Sequence, residues 1–240
     1  QYTKEEYDIK VLGKFSDMAS KYLLGASAIE ACYRRNVIHP SDDYGWLVPV
    51  DVGGGGYRDA SVIFAMKVVG YGEFGADARR VQLVKVPLLA NDQDPSMLHG
   101  RVKDATDELS NATAVVDAGG MGLIVCKQLE NNHVQLVKVN WGAPNWAKEY
   151  KERYKNQRAQ AICGLARAIQ EGRFGIDADV PRAYVKQLVR EGARLPYYYD
   201  EKARRGITSK EDMRSEGIAS PDAFDCAAFA FLESAHYSIA

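Results

Sequence analysis

Residues 46–56 (WLVPVDVGGGG) constrain this 240-residue chain more than any other stretch. An apolar run of this kind reads as a strand buried on both faces. Asp51 stands near its C-terminal end, and glycines follow at once. An unpaired carboxylate inside a hydrophobic strand is costly, so a binding partner is expected there. The glycines clear side chains from the approach of a bulky ligand to the backbone. Three readings stay open at this point. Asp51 caps its own turn, holds a metal ion, or forms a phosphate cradle with the glycines.

Composition narrows the setting. With 46% hydrophobic and 26% charged residues, one compact domain with appendages fits best, and two small domains are the alternative. No apolar run approaches the ~18 residues of a membrane span, and no signal peptide is expected. The first residue is Gln1 rather than Met, which points to a piece of a longer protein. Cys32, Cys126, Cys163 and Cys226 are scattered without a paired spacing, so buried free thiols in a reducing compartment are expected. The four histidines show no metal spacing. Net charge is -1, yet residues 147–214 hold 16 Lys/Arg against 10 Asp/Glu, and the remainder holds 15 against 22. An acidic core with a basic C-terminal region fits either a solvated helical face or contact with DNA.

Along the chain, residues 1–45 read as a lead-in, with a short strand at 7–13 and a helix at 26–35. Strands are expected at 46–51, at 61–69 and at 81–89, the last ending near Pro87. Gly70, Gly72 and Gly75 lie in the connection between the second and third. A helix opening on Pro95 follows. Residues 112–122 (ATAVVDAGGMG) then repeat the opening pattern of buried strand, Asp and glycines, with Asp117 in place of Asp51. A helix at 122–131 and a fifth strand at 134–139 complete the order: three strands, helix, strand, helix, strand. That is the chain order of an RNase H-like α/β fold, a mixed five-stranded sheet flanked by helices. Strands one and four are neighbours in it, so Asp51 and Asp117 would project side by side. Helices at 156–171 and 181–191 follow, then an extra C-terminal β-hairpin from 195–199 and 206–210.

A third acidic element closes the chain. In 220–232 (SPDAFDCAAFAFL), Ser220 suits an N-cap and Pro221 a first helical residue. Asp222 and Asp225, at i and i+3, share one helix face. Asp222 has a simple reading, since acids are favoured in a first turn. Asp225 lies deeper, amid small apolar residues, where packing on the sheet would bring it to Asp51 and Asp117. Three converging carboxylates without cationic partners would repel one another unless cations join them. Hard oxygen ligands suit Mg²⁺ or Mn²⁺, and two such ions support phosphodiester cleavage.

With these residues in view, the chain resembles the nuclease domain of the phage terminase large subunit, the DNA-packaging motor. Residues 7–15 (YDIKVLGKF) are similar to the segment that follows the family's ATPase domain. Val50-Asp-Val-Gly and Val116-Asp-Ala-Gly-Gly-Met-Gly resemble its first two acidic motifs. Residues 209–225 (SKEDMRSEGIASPDAFD) resemble the third and are the most specific stretch. The resemblance implies Asp51, Asp117 and Asp225 as catalytic metal ligands for Mg²⁺ or Mn²⁺, two ions in the active complex, with Asp222 as substitute or helper. It implies an accessory role for Lys210, where some relatives place a lysine near the metal site. Relatives often have Asn-Gly where this chain has Gly119-Gly120, so any role of that Asn is lost. On this resemblance residues 1–45 are a linker after an ATPase domain and 46–240 the nuclease domain.

The implied activity is endonucleolytic cutting of concatemeric double-stranded DNA, with little sequence dependence, in the cytoplasm of an infected bacterial host. The implied partners are DNA, the ATPase domain in cis, the portal and the small terminase subunit; no membrane is involved, and the isolated domain is expected to be monomeric. Lys202, Arg204 and Arg205 on the charged turn, with Lys151, Arg153, Lys155 and Arg158, are the candidate phosphate contacts. No Gly-x-x-x-x-Gly-Lys-Ser/Thr occurs, so ATP hydrolysis is not expected. An actin-like or sugar-kinase ATPase accounts for Asp51 and Asp117 but leaves Asp225 unexplained. A catalytically silent docking module of the packaging motor leaves all three acids unexplained.

Overall fold

The structure is a computed structural model that describes residues 22–54, 59–71 and 78–240. The strand and motif expected within 7–15, and Gly55, Gly56, Gly72 and Gly75, lie outside the described residues. Strands β1 (Gly45–Asp51), β2 (Ser61–Val69) and β3 (Arg80–Ala90) form an antiparallel meander. On the other side of β1, β4 (Thr113–Asp117) pairs in parallel, and β5 (Leu136–Val139) adds in parallel to β4. The expected RNase H-like order is therefore present, but among the described residues the sheet has six strands rather than five. The sixth, β6 (Phe174–Ile176), pairs in parallel with β3, giving the order β5-β4-β1-β2-β3-β6. Three residues between two helices are too few for an alternation to show. A separate two-stranded hairpin, β7 (Tyr197–Tyr199) with β8 (Arg205–Ile207), stands where the sequence places one.

Alternation along the strands sorts the core into two faces. Val48, Val50, Ala114 and Val116 pack with Leu98, Val102, Val125 and Leu129 of helices α2 (Leu98–Asp107) and α3 (Gly122–Asn131). Leu47, Val62, Phe64 and Val115 face the larger core, covered by α5 (Gln157–Gln170), α6 (Arg182–Gly192) and α8 (Asp222–Ala228). Helix α8 packs directly on β1 and β2 and against α5 and α6. Among the described residues, no helix is long and apolar enough to cross a membrane.

Several local expectations change. Strand β3 continues through Pro87 to Ala90, because β6 pairs only with residues 81–83 and leaves the outer edge at Pro87 without a ladder to break. The helix expected at 26–35 ends early, as α1 (Ala26–Glu30), yet Leu24, Ile29 and Cys32 of this region are buried in the larger core. The helix expected from Pro95 begins as a 3₁₀ turn (Pro95–Met97). Two short helices were not read from the sequence, α4 (Lys148–Arg153) and α7 (Lys210–Ser215). The latter takes the end of the segment assigned to the second hairpin strand.

Candidate active site

The parallel register sets Val50 beside Val116, so β1 and β4 end together in Asp51 and Asp117. Residues 47, 49 and 51 share a face with 113, 115 and 117, the face that α8 covers. Both aspartates are thus delivered by strand period and register. The backbone after Asp117 turns sharply: its Oδ1 accepts from Gly119 N at 2.9 Å. A Cβ on Gly122 would lie 1.7 Å from the Asp117 carbonyl oxygen, so only glycine fits there. Gly53 is similarly required, since its Cβ would meet Asp59 O at 2.4 Å.

Helix α8 supplies two more acids from its first turn. Its cap position is Pro221, not Ser220, and no side-chain cap bond forms. The Ser220 hydroxyl instead donates to Asp222 Oδ1 at 2.5 Å. Asp222 Oδ2 accepts from Ala60 N at 2.8 Å. Asp225 is fully buried, and Asp51 and Asp222 retain 2% and 4% exposure.

Two cations join this cluster, which corrects the expectation of carboxylates without cationic partners. Lys210 Nζ lies 3.2 Å from Asp51 Oδ2, 2.9 Å from Asp222 Oδ1 and 3.7 Å from Asp225 Oδ2. It is the first residue of α7, whose start is fixed by Ser209 accepting from Asp212 N and donating to Asp212 Oδ2. Arg158, expected on the surface as a phosphate contact, is buried on α5. Its guanidinium donates to Asp225 at 3.3–3.4 Å and to Thr208 O at 2.9 Å.

The electrostatics follow from burial. Desolvation pushes the Asp51 carboxyl up to about 8, against Lys210, with Asp222, Asp225 and Asp117 adding to the rise. Asp117 is raised too, first by burial. Burial works against the Lys210 ammonium, but Asp51, Asp225 and Asp222 outweigh it and hold its pKa above the usual value. Burial pushes Glu191, behind α8, up to about 7. Among the described residues, no three His, Cys, Asp or Glu side chains stand in an arrangement that would hold an ion as they are. Lys210 sits among the oxygens instead.

An open cleft of about 730 Å³ runs from Asp117 past Lys210 and Arg158 to Lys155 and Tyr198 of the hairpin. Lys155 Nζ donates to Tyr198 Oη at 2.7 Å. The other expected phosphate contacts are dispersed. Lys151 and Lys202 are exposed. Arg204 pairs with Asp200 at 2.8 Å, and Arg205 bonds Tyr199 Oη at 2.7 Å. Arg153 is buried against the Tyr154 ring. Sequence reasoning singled out neither Glu191 nor the burial of Arg158. The Ser209-x-x-Asp212 capping pattern was readable and would have placed Lys210 at a helix start.

Fold and site together define an RNase H-like domain with an acidic pocket at the sheet edge. No family model matches the chain. The chain is similar to a probable terminase large subunit of Enterobacteria phage P7, 29% identical over 230 residues. The match takes in 94% of this chain and 44% of that protein, so the chain spans about half the length of its relative. Among solved structures, the nuclease domain of the large terminase subunit gp2 of bacterial virus Sf6 superposes with a TM-score of 0.66 at 12% identity, covering 88% of this chain and 98% of that one. The magnesium-bound large terminase nuclease of thermophilic phage G20c gives 0.52 at 16% identity, covering 89% and 97%. These likenesses establish the shared fold.

Proposed function

We propose that this chain is the metal-dependent DNA endonuclease module of a phage packaging terminase. The observation that carries the reading is the meeting of Asp51, Asp117, Asp222 and Asp225 at one sheet edge around Lys210. The donor set fits a hard divalent cation, being all carboxylate oxygen with no imidazole among it. Asp51, Asp117 and Asp225 are the proposed ligands, with Asp222 alongside. Bound there, Mg²⁺ or Mn²⁺, two ions in the active complex, would activate water and stabilise the leaving oxygen of a phosphodiester. Lys210 keeps a positive charge where the acids would otherwise repel, and Arg158 holds Asp225 in place. The cleft lined by Lys155 and Tyr198 gives a DNA backbone its path past Asp117, and Lys151, Lys202, Arg204 and Arg205 are candidates for outer phosphate contacts. The convergence of Asp225 with Asp51 favours this reading over a nucleotide cradle, which would leave Asp225 without a task.

The proposed whole-protein role rests on the P7 relative, a probable terminase large subunit. On that basis concatemeric double-stranded DNA in the host cytoplasm is the proposed substrate. The ATPase domain in cis, the portal and the small subunit are the proposed partners. The test is supercoiled plasmid with Mg²⁺ or Mn²⁺, beside an EDTA control and Asp51→Asn, Asp117→Asn and Asp225→Asn. Nicking that EDTA and each substitution abolish supports the site. Equal cutting by wild type and variants would remove it.

A further inference from the structure

Helix α8 starts without a cap of its own. Pro221 occupies the cap position, where a Ser, Thr, Asp or Asn side chain would normally accept from the second or third helical amide. The third helical residue is Phe224, and its N–H donates at 3.0 Å to Glu191 Oε2, from the last turn of α6. The other oxygen, Glu191 Oε1, accepts from Gln187 Nε2 at 2.9 Å, one turn back on the same helix. Glu191 is itself only 6% exposed, so both of its oxygens are committed inside the protein. The approach depends on its neighbour: a Cβ on Gly192 would lie 2.4 Å from the Phe224 ring. α6 therefore presents a carboxylate and then a bare backbone to the start of α8.

We propose that Glu191 is a positioning residue, a cap supplied from another helix that fixes the first turn of α8 and so the places of Asp222 and Asp225. Phe224 lies between these acids, two residues after one and one before the other. A turn that frayed at Phe224 would let both carboxylates drift from Lys210, Asp51 and Arg158. The role rests on the nuclease reading for its importance, but the hold on the helix is independent of it. It also explains a buried acid close to an already acidic cluster. What α8 lacks at this point is an acceptor, and the Glu191 side chain reaches it.

Two conservative substitutions separate the bond from the charge. Glu191→Gln keeps an acceptor at the same reach and removes the charge. Glu191→Asp keeps the charge and withdraws the oxygens by one methylene. Native-state hydrogen exchange at the Phe224 amide is expected to quicken by about tenfold in Glu191→Asp and to stay near wild type in Glu191→Gln. The Mn²⁺ concentration for half-maximal plasmid nicking should rise by about 10–100-fold in Glu191→Asp, as for supports behind metal ligands, and hold in Glu191→Gln. Leu188→Ala, buried on the same helix, should lower stability without moving that concentration. Unchanged Phe224 exchange in Glu191→Asp would overturn the inference, as would equal effects of the two Glu191 variants. If wild type neither nicks DNA nor binds Mn²⁺ by calorimetry, the nuclease reading falls, and the exchange measurement still decides the role of Glu191.

Discussion

Arg158→Met separates two accounts of one residue. In the structure the Arg158 guanidinium spends its donors on Asp225 and Thr208 O, and the Asp225 carboxylate has no solvent exposure. Removing one partner of a buried ion pair typically costs about 3–5 kcal/mol, because the other charge is left uncompensated. The N···O distances here, 3.2–3.4 Å, are longer than the roughly 2.7–2.9 Å of strong charge-assisted bonds. Lys210 also remains 3.7 Å from Asp225. Both facts place the cost at the low end, about 3 kcal/mol. With a urea m-value near the upper part of the usual range, about 3 kcal/mol/M, the midpoint should fall by about 1 M. The measurement is urea unfolding in EDTA of wild type, Arg158→Met, Asp225→Asn and the double variant. The double variant should recover part of the loss, with a coupling of about 2 kcal/mol. A single variant within about 0.5 kcal/mol of wild type, or strict additivity, refutes the argument. Unchanged stability with weakened DNA retention would return Arg158 to the phosphate contacts.

Lys210→Met leaves Asp51, Asp222 and Asp225 without their shared ammonium, so the melting temperature in EDTA should fall and Mn²⁺ should raise it more than in wild type; an equal or smaller rise contradicts this. Gly192→Ala puts a Cβ 2.4 Å from the Phe224 ring and 2.7 Å from Ile29 Cδ1. Both neighbours are buried, so urea titration should show a loss of about 1–3 kcal/mol. All four cysteines are buried, and burial pushes Cys32 and Cys126 up to about 11. A thiol reagent should therefore react fully only after denaturation, and rapid labelling of the native protein would contradict that burial. The Arg80 hydrogen bonds and the His39 amide hold Asp42 below the usual carboxylate range. The advantage of wild type over Asp42→Asn should be full at neutral pH and disappear as pH falls below about 4, through the folded value. A difference that persists in acid would contradict the sign.

The acidic site was legible because each ligand candidate sits at a position that period and capping rules already mark. Asp51 and Asp117 end buried strands, and Asp222 and Asp225 open an apolar helix. What pairs with them was not legible from residue patterns, and Lys210 came into view only through the family resemblance. Arg158 lies in a basic stretch that looks like surface, and its burial is decided by packing of α5 against α8, which no local pattern encodes. Glu191 sits among the charged residues of an amphipathic helix, where a solvated acid is the ordinary case. β6 is too short to show alternation, and Ser220 looked like a cap although its hydroxyl turns to the Asp222 carboxylate two residues on. Local rules therefore gave the acids, and the counter-charges came from long-range contacts.

The presence of Lys210 and Arg158 among the acids has a consequence for how such a protein lives. Small metal-dependent domains often cannot fold until their ion arrives, so their abundance follows metal supply. Here the chain brings its own counter-ions, one from α7 and one from α5. On the nuclease reading proposed above, the fold should therefore form without a divalent cation, which would add to its stability rather than create it. On that reading a chelator should leave a folded protein whose nuclease activity returns when the ion does.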